Sequence, residues 1–468
     1  MTLLIQTEQL SVRTKNGVTL VEPISLQLPA GTNLTILGET GSGKSLLAQA
    51  IMGALPDALV AEGQVLIEGN ALSCRQRRLY WGKRLAMLAQ EPSRSLDPTM
   101  TVFNQIWESL YFVAADSLAE ARQKTRQKLT ALGLEKGEKS YPHQLSGGMA
   151  QRAAFAAATA GGAYMVIADE PTKGLDEANK QSVIDLLRHI ARQGGALLTI
   201  THDIDVAEQL GGQIMVMKKG QLLEQGAAEQ VLGAPRSDYA RQLIASAPHN
   251  WPQQEKVQLM TPPLLHVQDL ALARGKRELF EELSFTLRRG EVLGLVGDSG
   301  IGKSSLGDAL CGVLAPEFGR IRWQANVARR QVLKLYQDPP SAFAPHIPLQ
   351  VLLDDVIDKH QLDRSRLPHL LRQLKLEPQL LQRTAENVSG GELQRVAILR
   401  ALLFDPVLLF ADEVTSRLDP ITQKDTLDLL TAQCARLQCA LVIVSHDRHV
   451  IAHYCHRIID LNQFVKEI

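Results

Sequence analysis

The chain has 468 residues, 45% of them hydrophobic, with 50 Lys and Arg against 50 Asp and Glu. That length predicts two or three domains, and a formal net charge of zero gives no compositional pointer to a polyanionic partner. Five cysteines in so long a chain exclude a disulfide framework and read as reduced thiols of a cytosolic protein.

In chain order, the N-terminal "MTLLIQTEQLSV" lacks the basic start and apolar core of a signal peptide. "TLVEPISLQLPAGT" reads as short antiparallel strands with a turn. "TNLTILGETGSGKSLLAQAIMG" then reads as strand, glycine loop and helix. Gly38, Gly41 and Gly43 let the backbone turn tightly enough for its N–H groups to reach an anion. Lys44 supplies charge for terminal phosphates, Ser45 a hydroxyl for Mg²⁺, and the helix N-terminus faces the phosphates.

The basic runs "CRQRRLYWGKR" and "EARQKTRQK" read as solvated faces rather than a nucleic-acid patch. Between Gln90 and Ser146 the pattern is mostly helical. Ser146, Gly147 and Gly148 precede a strong helix former, "MAQRAAFAAATA". A hydroxyl, bare N–H groups and a helix N-terminus make a second kind of anion pocket. The apolar stretch Ala153 to Ala168 is shorter than the roughly 18 residues of a membrane span, and parses as a helix followed by a buried strand.

That strand ends in Asp169 and Glu170. Such a pair can be a solvated turn, but behind an apolar strand and after a phosphate loop it fits chemistry. Asp169 would hold Mg²⁺ directly or through water, and Glu170 would orient and deprotonate an attacking water. His202, after a second apolar run, would aim at the γ-phosphate.

After a Pro- and Gln-rich stretch, "SAPHNWPQQEKVQLMTPP", the same parts return in the same order. They are Gly297, Gly300, Gly302, Lys303 and Ser304; Gln337; Ser389, Gly390 and Gly391; Asp412 and Glu413; and His446. The second half is about sixteen residues shorter between its loop and its SGG, so that segment lies outside the nucleotide core. The predicted organisation is domain 1–245, linker 246–263 and domain 264–468. Each half should be an α/β fold with a mostly parallel sheet, an antiparallel β flank and an inserted helical subdomain. Two kinds of phosphate pocket per half would allow ATP to be buried between halves, one pocket from each.

This set resembles the ATP-binding-cassette (ABC) ATPase family over nearly the whole chain: P-loop, Q-loop, LSGGQ-type signature, Walker B, D-loop and H-loop, twice. The resemblance implies two P-loop NTPase cassettes closing head to tail on two ATP with Mg²⁺. One site would join Lys44, Ser45, Gln90, Asp169, Glu170 and His202 to Ser389, Gly390 and Gly391. The other would join Lys303, Ser304, Gln337, Asp412, Glu413 and His446 to Ser146, Gly147 and Gly148. Gln90 and Gln337 would act in catalysis and at the metal, and Asp176 and Asp419 would be the D-loop acids. With both Glu and both His present, two hydrolytic sites are expected. The chain departs from the pattern where many cassettes stack adenine on an aromatic ring: Arg13 or Thr14, and Arg274, stand there instead. Val414 also replaces the proline found at Pro171.

The tail "QGAAEQVLGAPRSDYARQLIASAP" and the segments "QEPSRSLDP", "QDPPSAFAP" and "DEVTSRLD" are similar to those of peptide and nickel importers. The resemblance implies two membrane permeases, received after Gln90 and Gln337, and an extracytoplasmic solute-binding protein. The chain would lie peripherally on the cytoplasmic face of the inner membrane, with peptide, nickel or metallophore as cargo and no direct nucleic-acid contact. Two alternatives share the motifs: a soluble tandem cassette acting on ribosomes or DNA, and the ATPase of an exporter.

Overall fold

The computed structural model describes residues 2–90, 95–253, 259–275, 277–324, 326–416 and 418–465. Glu91 to Arg94 of the first Q-loop stretch, residues 254–258 of the expected linker, and Arg417 lie outside the described residues. The chain divides into two units, Met1–Ala247 and Pro248–Ile468.

In the first unit, β1 (Leu3–Thr14) and β2 (Thr19–Pro29) pair antiparallel. Ile24, Leu26 and Leu28 alternate inward along β2 while their neighbours face out, the period of a half-buried strand. With β4 (Leu59–Ile67) and β5 (Asn70–Ala71) they form a sheet of order β2-β1-β4-β5. These are long strands, where the sequence pattern had suggested short ones.

The main sheet contains β3 (Thr32–Leu37), β6 (Leu85–Leu88), β7 (Met165–Asp169), β8 (Ala196–Thr201), β9 (Gln213–Lys218) and β10 (Gln221–Ala227). Its order is β10-β9-β3-β8-β7-β6. All pairs are parallel except β10 with β9. "MVIAD" and "ALLTIT" are buried at every residue, as strands covered on both faces must be. Register sets Leu37 beside Thr201 and Asp169 beside Ile200, so the carboxyl ends of β3, β7 and β8 lie together. In open α/β sheets that edge is where ligands bind. The helices Val102–Glu108, Leu118–Ala131 and Gly147–Thr159 pack around a smaller apolar core of their own.

The second unit repeats the plan. β11 (Pro263–Arg274), β12 (Arg277–Arg288) and β14 (Phe318–Trp323) make an antiparallel sheet of order β12-β11-β14. β13 (Val292–Val296), β15 (Val332–Leu335), β16 (Leu408–Asp412), β17 (Ala440–Val444) and β18 (Arg457–Asp460) make a sheet of order β15-β16-β17-β13-β18, parallel throughout. The shorter helical segment contains Leu349–His360 and Leu367–Gln373.

Two local readings are corrected. Part of the stretch expected as linker is folded: Pro248–Asn250 is a helical turn, and Trp251 is buried against His453 and Tyr454 of the second unit. The apolar area of one indole outweighs the Pro and Gln around it. Arg77, read as part of a solvated basic face, is buried and donates to the Ala50 carbonyl at 3.0 Å. Arg78 reaches the Gly53 carbonyl at 3.1 Å. Both cap the C-terminal end of the phosphate-loop helix Lys44–Met52, where positive charge is favourable. All five cysteines are free thiols.

Candidate active site

The glycine loops sit at the ends of β3 and β13. Gly43 and Gly302 adopt φ of 93° and 114° as N-caps of the helices Lys44–Met52 and Lys303–Leu310, and neither helix has a side-chain cap. Those left-handed angles favour glycine, and the first-turn N–H groups remain available for an anion. Lys44 Nζ donates to the carbonyls of Gly38 at 2.7 Å and Glu39 at 2.8 Å, and to Ser42 Oγ at 3.2 Å. Lys303 Nζ repeats this on Gly297 at 2.7 Å and Asp298 at 2.9 Å. Each ammonium is thus held inside its own loop, positioned to exchange carbonyl oxygens for phosphate oxygens.

Glu170 and Glu413 follow the Asp-ending strands in left-handed backbone, with φ of 49° and 50°. Such angles are uncommon for glutamate, and here both are fixed by backbone bonds to Ile200 O and Val444 O. The turn presents each carboxylate to a histidine: Glu170 Oε1 lies 2.7 Å from His202 Nδ1, and Glu413 Oε1 lies 2.8 Å from His446 Nε2. Burial alone would raise the Glu170 pKa, but His202 outweighs it and holds the carboxyl below the usual range. Burial likewise depresses His202, while Glu170 raises it on balance. Each shift thus favours the charged form of its group, and the pairing fixes where the Glu170 carboxylate sits.

Asp169 is pushed up chiefly by burial, with Glu170 adding to it and the Ser45 hydrogen bond and Lys44 opposing. Its Oδ1 is buried with no hydrogen-bond partner among the described residues. An orphaned carboxylate oxygen beside a serine hydroxyl is a hard-oxygen donor pair that fits Mg²⁺. Among the described residues no group of three or more His, Cys, Asp or Glu could hold a metal ion. Asp412 differs: its Oδ2 lies 3.0 Å from Lys334 Nζ.

Within each unit, then, lysine, serine, aspartate, glutamate and histidine gather at one sheet edge. Gln337 joins them, donating to Glu413 Oε2 at 2.7 Å, whereas Gln90 is exposed at the end of β6. The SGG residues form another cluster. Ser146 and Ser389 cap the helices Gly147–Thr159 and Gly390–Leu402, accepting from the N–H groups of Met149 and Glu392. A methyl on Gly148 would lie 2.1 Å from Asn179 Oδ1, and one on Gly391 would lie 2.4 Å from Thr422 Cγ2. Asp176 and Asp419 are the N-caps of the helices those neighbours open, accepting from the N–H groups of Asn179 and Thr422. The D-loop acids are therefore engaged within their own units, where they fix the start of a helix against the SGG turn.

Sequence reasoning missed several contacts to the loops. The Glu39 N–H donates to the Tyr239 hydroxyl at 2.8 Å, so the tail helix Asp238–Ala245 touches the first phosphate loop. The Asp298 N–H does the same with Asn462 Oδ1 at 3.2 Å. Nothing in local periodicity could have found these bonds between residues so distant in sequence. Arg13, a candidate for adenine stacking, pairs with Glu62 at 3.2 Å. Arg274 bonds Ser305 Oγ at 3.0 Å and pairs with Asp308.

Comparison with known proteins bears on the family. The profile of the ABC transporter family matches residues 21–173 and 280–416. The chain is 34% identical over 484 residues to the uncharacterized ABC transporter ATP-binding protein YejF of Escherichia coli (strain K12), covering 95% of this chain and 90% of that one. It is 32% identical to the peptidoglycan transport ATP-binding protein YejF of Agrobacterium fabrum (strain C58 / ATCC 33970), covering 92% and 85%. It is 30% identical to the glutathione import ATP-binding protein GsiA of Escherichia coli (strain K12), covering 94% and 81%. The solved structure of RNase-L Inhibitor shares the fold at a TM-score of 0.67 and 22% identity, over 96% of this chain and 87% of that chain. With the motifs paired twice over and these relatives spanning nearly its whole length, the chain belongs to the ABC transporter family and is a tandem-cassette ATPase.

Proposed function

We propose that the chain is the ATP-hydrolysing subunit of a membrane importer for peptides or peptide-derived solutes. The observation that carries the chemistry is the paired Glu–His arrangement beside each phosphate loop. Lys44 and Lys303 draw the terminal phosphates into the loops, while Glu170 and Glu413 orient the attacking water and take its proton. His202 and His446 hold those carboxylates in place. Ser45 and Asp169 would hold Mg²⁺ in the first unit, with Gln90 as the third candidate ligand. When bound, Mg²⁺ neutralises charge on the phosphate oxygens. Following the family resemblance, each site would be completed by the SGG residues of the other cassette.

What supports import is the likeness to a glutathione importer subunit and a peptidoglycan transport subunit, together with the importer-like tail carrying Tyr239. Those names favour a peptide-type cargo over nickel or a metallophore. The working partners would be two permeases and an extracytoplasmic solute-binding protein, with the chain peripheral on the cytoplasmic face. No helix among the described residues is long and apolar enough to cross a membrane, so attachment would run through the permeases. ATP binding would draw the cassettes together and hydrolysis release them, biasing the permeases between two states.

The test is purification of the chain from gently solubilised membranes of its own cell, with mass spectrometry of what accompanies it. Two polytopic permeases and a solute-binding protein are expected. Recovery from the soluble fraction with ribosomal proteins or RNA would overturn the import reading.

A further inference from the structure

The two halves share every motif, yet the carboxylates that would hold the cation have different surroundings. Met87 pairs with Ile167 across β6 and β7, and at the same register Lys334 pairs with Phe410 across β15 and β16. Lys334 Nζ lies 3.0 Å from Asp412 Oδ2, 3.0 Å from Asp308 Oδ1 and 3.0 Å from the Ser304 carbonyl. The side chain is only 7% exposed.

Its surroundings have changed along with it. Asp308 stands four residues after Ser304 in the phosphate-loop helix, where the first half has Gln49 after Ser45. Asp308 also pairs with Arg274 at the end of β11, where β1 ends in Thr14. Phe410 fits because Gly307 leaves room: a methyl there would lie 2.5 Å from Phe410 Cε1, and the first half has Ala48 and Ile167 instead. Arg274, Asp308, Lys334 and Asp412 thus form a continuous chain of alternating charge. The corresponding first-half residues, Thr14, Gln49 and Met87, carry none, and there Asp169 keeps an unpartnered oxygen.

We propose that Lys334 takes the place of the divalent cation at Asp412, so that the second unit's site holds nucleotide without recruiting Mg²⁺ tightly and serves as the slower, nucleotide-retaining site. This rests on the ATPase reading above. The argument is charge balance. A carboxylate held by a buried ammonium has lost most of its attraction for a second cation, and that cation would sit close to a like charge. Releasing Lys334 would leave it buried beside the helix without its main partner. Lys44 and Lys173 also act on Asp169, but burial outweighs them, and its Oδ1 keeps no hydrogen-bond partner among the described residues.

The experiment uses the full-length wild-type chain with a non-hydrolysable ATP analogue and Mn²⁺ as the probe. Bound Mn²⁺ is counted by electron paramagnetic resonance and bound nucleotide by equilibrium dialysis. Two nucleotides with about one tightly held Mn²⁺ per chain are expected, since a buried ammonium holds Asp412 while Asp169 keeps an oxygen without a hydrogen-bond partner. In a Lys44→Ala background, which leaves the second site to be read, chelating the metal should weaken nucleotide binding by less than about threefold. In a Lys303→Ala background, the loss should exceed about tenfold. Two nucleotides with two tight Mn²⁺ would overturn the proposal, as would a chain that binds one nucleotide. A chain that binds none would overturn the ATPase reading itself. Lys334→Met with Asp308→Gln, which installs the first half's residues, should raise the Mn²⁺ count to about two. The wild-type count decides the matter even if that variant does not fold.

Discussion

The smallest features with the largest chemical consequence are Glu170 and Glu413, held in left-handed backbone with a histidine against each carboxylate. Replacing Glu170 by Gln keeps the shape and removes the base. Steady-state ATP turnover should fall by about 100-fold or more, with nucleotide still bound. Normal turnover by Glu170→Gln would remove that residue from the mechanism. Both residues were legible as candidates because an Asp-Glu pair ends a wholly apolar strand after a phosphate loop. Their backbone angle was not legible, since it is imposed by bonds to Ile200 and Val444 on neighbouring strands. Lys334 does leave a signal in the sequence: it is the one charged residue in "VLKL", a strand whose counterpart "LAML" is apolar. What sequence could not supply was its partner, because Asp308 and Asp412 come from a helix and a neighbouring strand.

At the scale of elements, several helices are tied to the core by single residues. Gly148 and Gly391 let the SGG turns approach the next helix, and Gly148→Ala or Gly391→Ala would force Asn179 or Thr422 to move. Each should cost about 1–3 kcal/mol, read as a lowered thermal midpoint. The tail helix is tied through Glu224, whose carboxylate accepts from the N–H groups of Arg236 and Ser237 at 2.9 Å each. Burial opposes ionisation of Glu224, but those N–H groups prevail and its pKa is lowered. A lowered carboxylate pKa stabilises the fold above the unfolded value and loses that contribution as pH falls through the folded one. Glu224→Gln should therefore destabilise the tail by about 1–2 kcal/mol near neutral pH, and by progressively less as pH drops below about 4.5. Hydrogen exchange of the Asp238–Ala245 amides would read this. An undiminished difference in acid would contradict it. The helical pattern marked the inserted subdomain and a resemblance marked the tail, yet neither gave a hint of the Tyr239 bond to the phosphate loop.

Over the whole molecule, duplication was the most legible property, because six motifs recur in one order and each requires the same strand–loop–helix context. The layered fold followed from that order. The stretch between the halves was the least legible: Pro and Gln dominate it, but Trp251 is 6% exposed and belongs to the second unit's core. Trp251→Ala should cost that unit about 3 kcal/mol, seen as an earlier unfolding transition, whereas no change in unfolding would mean the indole is dispensable. Duplicated motifs also suggested duplicated activity, and here the surroundings of Asp169 and Asp412 separate the halves. The measurement that tests this most directly is the steady-state ATPase rate of Glu170→Gln beside that of Glu413→Gln in the full chain. The account predicts a loss of about 100-fold or more for Glu170→Gln and less than about tenfold for Glu413→Gln. Equal losses, or the reverse order, would contradict it.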